Sequence, residues 1–135
     1  MTYKFDFYRG SIIVVPKISS VSDTSEIKFM LDTGASKTVI DSTAATKRLG
    51  FDLKNLEAGD RLMTANGRIN SKKLELPKFK LFGKELVNFE VSVFELPLQI
   101  TYFADGLLGM DFLLQFKKIT FDFDKKTIET SQQQQ

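Results

Sequence analysis

The chain predicts a mostly-β fold: a closed or partly closed β-barrel with one or two short helices, in one domain. Three observations predict it. Apolar residues recur at the two-residue period of half-buried strands. Turn signals such as Asn66-Gly67, Gly83-Lys84 and Asp124-Lys125-Lys126 separate these runs. The 135 residues, 42% of them hydrophobic, are enough for one core, and no linker or shift in composition divides them. The domain is expected over residues 1–130, followed by a disordered polar tail over 131–135 that has nothing to bury.

The elements follow in order. At the N-terminus Tyr3, Phe5 and Phe7 fall on one face and Lys4 and Asp6 on the other, which predicts a strand. Residues 11–18 predict a second strand, with Pro16 marking an edge or bend. Residues 19–25 are a polar turn before a strand over 26–31. An acid turn follows, then a short extended piece over 38–40. Residues 42–49 hold helix formers with a Ser or Thr cap candidate and a stop at Gly50, predicting a short helix. Residues 62–64 and 68–76 flank Ala65-Asn66-Gly67, and Asn-Gly between extended runs predicts a hairpin because both turn residues take positive φ. Residues 78–82 and 86–96 predict another strand pair around Gly83-Lys84. A second short helix is expected over 111–116. Residues 119–124 and 127–130 predict a final hairpin.

Two absences narrow the chemistry. The chain has no Cys, which removes disulfides, thiolate nucleophiles and Cys-based zinc sites. It has no His, which removes Ser-His-Asp triads and the commonest general base. Carboxylates remain the obvious catalysts, with no cofactor and no metal expected. Net charge is +2 with 27% charged residues, so nothing favours nucleic acid or an anionic membrane surface. The Lys72-Lys73 and Lys117-Lys118 pairs are short and separate, and read as solubilising charges. The apolar run 12–15 is too short for a signal-peptide core or a membrane span, and a soluble, cytoplasmic protein is expected.

One segment carries the chemistry. Asp32-Thr33-Gly34-Ala35-Ser36 follows the run Ile27-Lys28-Phe29-Met30-Leu31 and precedes Val39-Ile40. A carboxylate at the end of a buried strand must be paired, hydrogen-bonded or protonated, and such acids often serve proton transfer. Gly34 lets the backbone approach the carboxylate and give it an N–H. The Thr33 hydroxyl is placed to lock the loop, and that of Ser36 to reach the outer carboxylate oxygen. The structural alternative is an Asx turn ending a strand. Asp122 and Asp124 alternate with Phe121 and Phe123, which makes them a strand's solvent face rather than metal ligands. Most of the thirteen Phe residues sit at core spacing, with Phe89, Phe94, Phe103 and Phe112 as candidates to line an apolar cleft.

Residues 29–36, Phe-Met-Leu-Asp-Thr-Gly-Ala-Ser, resemble the active-site segment of aspartic proteases, in particular the single-domain retropepsin-like kind. The family's second hallmark, an apolar pair and a glycine before a short helix, is matched by Leu107-Leu108-Gly109 ahead of Met110-Asp111-Phe112-Leu113. Between the two lies Thr64-Ala65-Asn66-Gly67-Arg68, where the family carries its flap hairpin. The resemblance spans roughly residues 10–130. It implies an acid-protease-type barrel, with Leu107, Leu108 and Gly109 packed beneath the acid loop.

The resemblance also implies a mechanism. Two carboxylates a hydrogen bond apart share one proton and titrate as a unit, one activating water and the other donating to the scissile carbonyl. Only one Asp-Thr-Gly is present. Asp105-Gly106 lacks the intervening hydroxyl residue and reads more plainly as a turn before residues 107–108. A homodimer is therefore expected, with Asp32 meeting its counterpart across a two-fold axis and Thr33 bonding to the opposite loop. Retroviral members carry an acid and an Arg where this chain has Ser36 and Met110, and the Ser matches cellular and pepsin-type members. The extra helix at 42–49 pushes the flap downstream. The terminal strands are open to pairing between chains or within one. Three functions follow: an endopeptidase acting on extended polypeptides, a non-catalytic peptide-binding or dimerisation module of the same fold, and a segment of a larger assembly or precursor, against which the Met1 start and the polar tail weigh slightly.

Overall fold

The computed structural model describes residues 1–19, 26–64 and 67–132. The N-terminal alternation divides at Phe5. Strand β1 (Thr2–Lys4) pairs antiparallel with β12 (Thr127–Gln132), which pairs in turn with β11 (Phe116–Asp122). Strand β2 (Asp6–Tyr8) starts a different sheet. Phe5 marks the switch, buried to 4% exposure with its N–H donated to the Lys126 carbonyl at 3.0 Å. Both termini are thus paired within one chain. The final hairpin forms where expected, and β12 runs to Gln132, so Ser131, expected in the tail, lies opposite Lys118.

The larger sheet holds β3 (Ser11–Val14), β4 (Lys17–Ile18), β5 (Phe29–Leu31), β6 (Val39–Asp41), β7 (Ala58–Thr64), β8 (Gly67–Leu81), β9 (Lys84–Phe94) and β10 (Gly106–Leu108). Its path is β2-β3-β5-β10-β6-β9-β8-β4, with β7 added along β8. The expectation of a closed or partly closed barrel is corrected here. The predicted strand over 11–18 breaks at Val15-Pro16, and its halves fall far apart on the path, β3 next to one end and β4 at the other. The sheet therefore curls round until its ends are joined by a proline corner, where a ring nitrogen gives no ladder hydrogen bond. No described strand pairing closes it.

Strand β8 is one element where two were expected. Pro77 sits between the pairs Leu76↔Phe89 and Lys78↔Val87 without breaking the register. On its other side β7 reaches only to Lys72 and β4 begins at Phe79, so proline occupies a stretch of free edge. The β8–β9 turn carries Phe82 at φ 52° and Gly83 at φ 74°, the two positive values a tight hairpin turn requires.

The predicted helix over 42–49 is a π-type turn, Ala44–Arg48, whose Leu49 N–H reaches back five residues to the Ala44 carbonyl at 3.1 Å. It stops at Gly50, φ 76°, as predicted. The N-cap residue is Thr43, one of the expected types, but its side chain makes no cap hydrogen bond. The buried Asp41 carboxylate accepts the N–H groups of Thr43 and Ala44 at 3.2 and 3.4 Å, and that of Leu96 at 2.9 Å. Two short helices follow: α1 (Leu98–Thr101), not foreseen, and α2 (Met110–Leu113).

The core gathers Phe29, Ile40, Leu49, Phe79, Leu108, Phe112 and Ile128 at no exposure. Phe79 meets both Phe29 and Phe112 edge-on, at centroid distances of 5.9 and 5.2 Å. Aromatic edge-to-face pairs add about 0.5–1.5 kcal/mol each beyond the area they bury. This cluster ties β5, β8 and α2 together directly beneath the acid turn.

Candidate active site

Strand β10 lies between β5 and β6. It runs parallel to β5, with Gly106↔Phe29, Leu107↔Met30 and Leu108↔Leu31, and antiparallel to β6, with Gly106↔Ile40 and Leu107↔Val39. The segment 32–38 joins β5 to β6, so it must pass over the end of β10. That crossing puts the acid turn and the residues after β10 in contact.

Four backbone hydrogen bonds fasten the crossing. Asp32 N–H donates to the Leu108 carbonyl at 3.0 Å, and Ala35 N–H to the Asp32 carbonyl at 3.1 Å. Met110 N–H donates to the Ala35 carbonyl at 2.8 Å, and Asp111 N–H to the Ser36 carbonyl at 3.2 Å. Gly109 lies where the two segments touch. A Cβ there would stand 2.5 Å from the Lys37 carbonyl carbon, 2.6 Å from its oxygen and 2.9 Å from the Ala35 oxygen. Only glycine fits, because all three atoms belong to backbone.

The Asp32 carboxylate receives the Gly34 N–H on Oδ1 at 2.9 Å, as expected of that glycine. Among the described residues this is its one hydrogen-bond donor. The acid was expected to be taken out of water, yet in the single chain Asp32 is half-buried and Thr33, Gly34 and Ser36 are exposed. The chain ends its strand at the surface, and among the described residues nothing covers the loop. Neither the Thr33 nor the Ser36 hydroxyl bonds to the carboxylate. Beside the loop lies a cavity of about 260 Å³, lined by Leu31, Thr33, Met110, Leu113, Ile119 and Phe121 among others.

The residues 107–109 lie beneath the loop. Leu108 is fully buried in the main core, and the half-buried Leu107 packs against the smaller cluster of Val39, Phe94 and Leu96. The flap positions divide. Strands β7 and β8 form an antiparallel hairpin whose last pair is Thr64↔Gly67, followed by Met63↔Arg68. Gly67 and Arg68 are exposed, and Ala65 and Asn66 lie outside the described residues.

Two residues that sequence reasoning did not single out complete the frame. Thr38, fully buried, donates its N–H to both Asp111 carboxylate oxygens at 3.0 Å and its hydroxyl to Oδ1 at 2.7 Å. The same hydroxyl accepts the Gly109 N–H at 3.1 Å. The available signal was an acid in the first turn of a short helix, where a carboxylate is favoured, plus a small hydroxyl residue just past the acid turn.

Asp105 has a structural occupation. Its carboxylate accepts the Lys28 N–H at 3.0 Å and the Arg48 guanidinium at 2.8 Å, and its own N–H donates to the Lys28 carbonyl. It belongs to the outer end of β5, away from the acid loop. Of the phenylalanines suggested for a cleft, Phe112 is wholly core, Phe94 is buried and Phe89 packs against the core. Phe103 stacks on Tyr8 at 4.9 Å and lines a cavity with Arg9, Leu98 and Tyr102. Asp122 ends its strand by accepting the Lys125 N–H at 3.0 Å, a turn contact.

Comparison with known proteins agrees with this frame. The family model described as "Aspartyl protease" matches residues 19–112. The uncharacterized protein RP867 of Rickettsia prowazekii (strain Madrid E) is 33% identical over 129 residues, covering 91% of this chain and 53% of its own. The chain thus spans about half the length of that curated relative. Among solved structures, a retropepsin-like aspartic protease from Rickettsia conorii superposes with a TM-score of 0.69 at 28% identity, covering 96% of this chain and 89% of that one. The EIAV protease in complex with the inhibitor HBY-793 superposes with a TM-score of 0.53 at 22% identity, over 76% and 84% of the two chains, a likeness of fold.

Proposed function

The chain belongs to the aspartyl protease family, and on that premise we propose that it is a homodimeric aspartic endopeptidase. The dyad is Asp32 together with Asp32 of a second copy. One observation carries this reading: the acid is presented at the open surface of a loop that is fixed from below. Its backbone is tied to Leu108, its Oδ1 to the Gly34 N–H, and the crossing beneath is closed by Gly109. One chain supplies one such acid, and Asp105 is engaged by Arg48.

The two carboxylates hold one proton between them, since like charges that close do not both ionise cheaply. The ionised member takes a proton from water, and the water oxygen bonds to the scissile carbonyl carbon. The protonated member gives its proton to the carbonyl oxygen. The tetrahedral intermediate collapses as its amide nitrogen receives a proton and the C–N bond breaks. No covalent adduct with the protein forms. The β7–β8 hairpin serves as the flap over an extended polypeptide, which binds by main-chain pairing with side chains on alternate positions in pockets. The cavity lined by Leu31, Met110, Leu113 and Ile119 beside Thr33 favours apolar side chains.

The test is cleavage of a mixed peptide library by wild type and by Asp32→Asn, with dimer content measured in the same buffers. Loss of cleavage in the variant supports the assignment. Equal cleavage by both would remove Asp32 from the site. A stable dimer without cleavage of any peptide favours the binding-module reading.

A further inference from the structure

From the free edge of the three-stranded sheet we infer that the second copy docks by antiparallel pairing of β11 with its own counterpart, centred on Thr120. The inference rests on the homodimer reading above and says where the two chains meet. Strand β12 is paired on both sides within the chain, by β1 and by β11, so no gap is left for an incoming terminal strand. Among the described residues the sheet keeps two edges, β1 and β11. Only β11 adjoins the acid loop, since its residues Ile119 and Phe121 line the same cavity as Thr33 and Leu31. Strand β1 instead borders a cavity with Lys80 and Gly83.

The sequence of β11 is self-complementary about Thr120. A two-fold axis through that residue sets Lys118 opposite Asp122 of the second copy, and Ile119 opposite its Phe121. The Lys118–Asp122 pair occurs twice, once on each side of the axis. Residues directly opposite share a face of the sheet, and Ile119 and Phe121 are half-buried while Lys118 and Thr120 are exposed, with Asp122 half-buried at the strand's end. Lysines on an edge strand ordinarily block pairing with other chains. In this register each one meets a carboxylate. The same operation about Tyr3 on β1 would set Thr2 against Lys4 and gives no charge match. Docking along β11 joins the two sheets into one of six strands, β1-β12-β11 continuing into its symmetry copy, and brings the cavity beside Thr33 to the axis. There a second Leu31, Met110 and Leu113 would fill it.

The chain contains no Cys, so Thr120→Cys places a single thiol on the proposed axis. Opposed residues in an antiparallel pair have Cα atoms about 4.5–5.5 Å apart, within reach of a disulfide or a short bismaleimide. We expect Thr120→Cys to cross-link to a dimer that still cleaves peptide, and Thr2→Cys, on the other edge, to remain uncross-linked. Lys118→Glu should weaken dimerisation about tenfold, because two attractions become two repulsions. Lys118→Glu combined with Asp122→Lys should restore it. A wild type that dimerises and cleaves, with Thr120→Cys not cross-linking and Lys118→Glu without effect, overturns this interface and leaves the protease reading standing. A cross-linked dimer that cleaves nothing keeps the interface and overturns the protease reading. A chain that stays monomeric at every concentration overturns both.

Discussion

The Asp111 carboxylate receives both the N–H and the hydroxyl of Thr38, at 3.0 and 2.7 Å, across 73 residues of sequence. The pair sits at the crossing of the acid loop and the segment after β10, and the Thr38 hydroxyl passes the connection on to the Gly109 N–H. A half-buried carboxylate with three donated bonds is a strong clamp, since hydrogen bonds to a charged group contribute about 1.5–3 kcal/mol. It fixes the loop from which Asp32 projects.

Thr38→Val keeps the shape of the side chain and removes the hydroxyl. It leaves the Gly109 N–H without its acceptor and Asp111 without its shortest donor. The expected cost is about 2 kcal/mol in denaturant unfolding, together with a fall in kcat as the loop loosens. Asp111→Asn, which keeps the size of the carboxylate, should cost less than Asp111→Ala.

Gly109→Ala drives a methyl group into three backbone atoms of residues 35 and 37. The loop has to move away from α2, and the variant should lose about 3 kcal/mol or more, with cleavage abolished. Gly10→Ala is the matched control. It sits at φ 81° with open space around its Cβ position, so it should cost only about 1 kcal/mol of backbone strain. Thermal melts of the two variants separate crowding at the crossing from the general cost of replacing glycine.

Asp41→Ala leaves three buried or half-buried N–H groups without an acceptor and removes the cap of the π-type turn. The expected loss is about 2–3 kcal/mol. The surviving folded fraction should cleave peptide with normal kcat, because Asp41 lies at the far end of β6 from the acid loop. A drop in kcat without a drop in stability would contradict this placement.

The proposed dyad, with one proton shared between two chains, predicts the form of the pH profile. Activity should be bell-shaped, lost at low pH when both carboxylates are protonated and lost toward high pH when both are ionised. A pH–rate profile of kcat/KM checks it. A rate that rose steadily to pH 8 would point to a different base.

The parts legible in the sequence are those written in adjacent residues. Asp32-Thr33-Gly34 after an apolar strand, Leu107-Leu108-Gly109 before a helix, and the turns at Gly83 and Lys125 each announce themselves through local geometry. The strand split at Phe5 was not legible, because its alternation continues unbroken while the chain changes partners. Nor was the long run of β8 through Pro77, which depends on where β7 and β4 end. Thr38 with Asp111, and the Asp41 carboxylate with the Leu96 N–H, are matched only in the fold; nothing in the neighbouring sequence of either names its partner. The exposure of Asp32 was misjudged for the same reason: an apolar strand before the acid says nothing about what lies over it.

The central claim is that one site is built from two chains, and mixing tests it most directly. Wild type and Asp32→Asn are combined in varied ratios at fixed total concentration, allowed to exchange, and assayed for cleavage. If only dimers with two aspartates are active, activity falls as the square of the wild-type fraction, to about one quarter at an equal mixture. A linear decline, leaving about one half, would show that each chain works alone and would contradict the shared dyad.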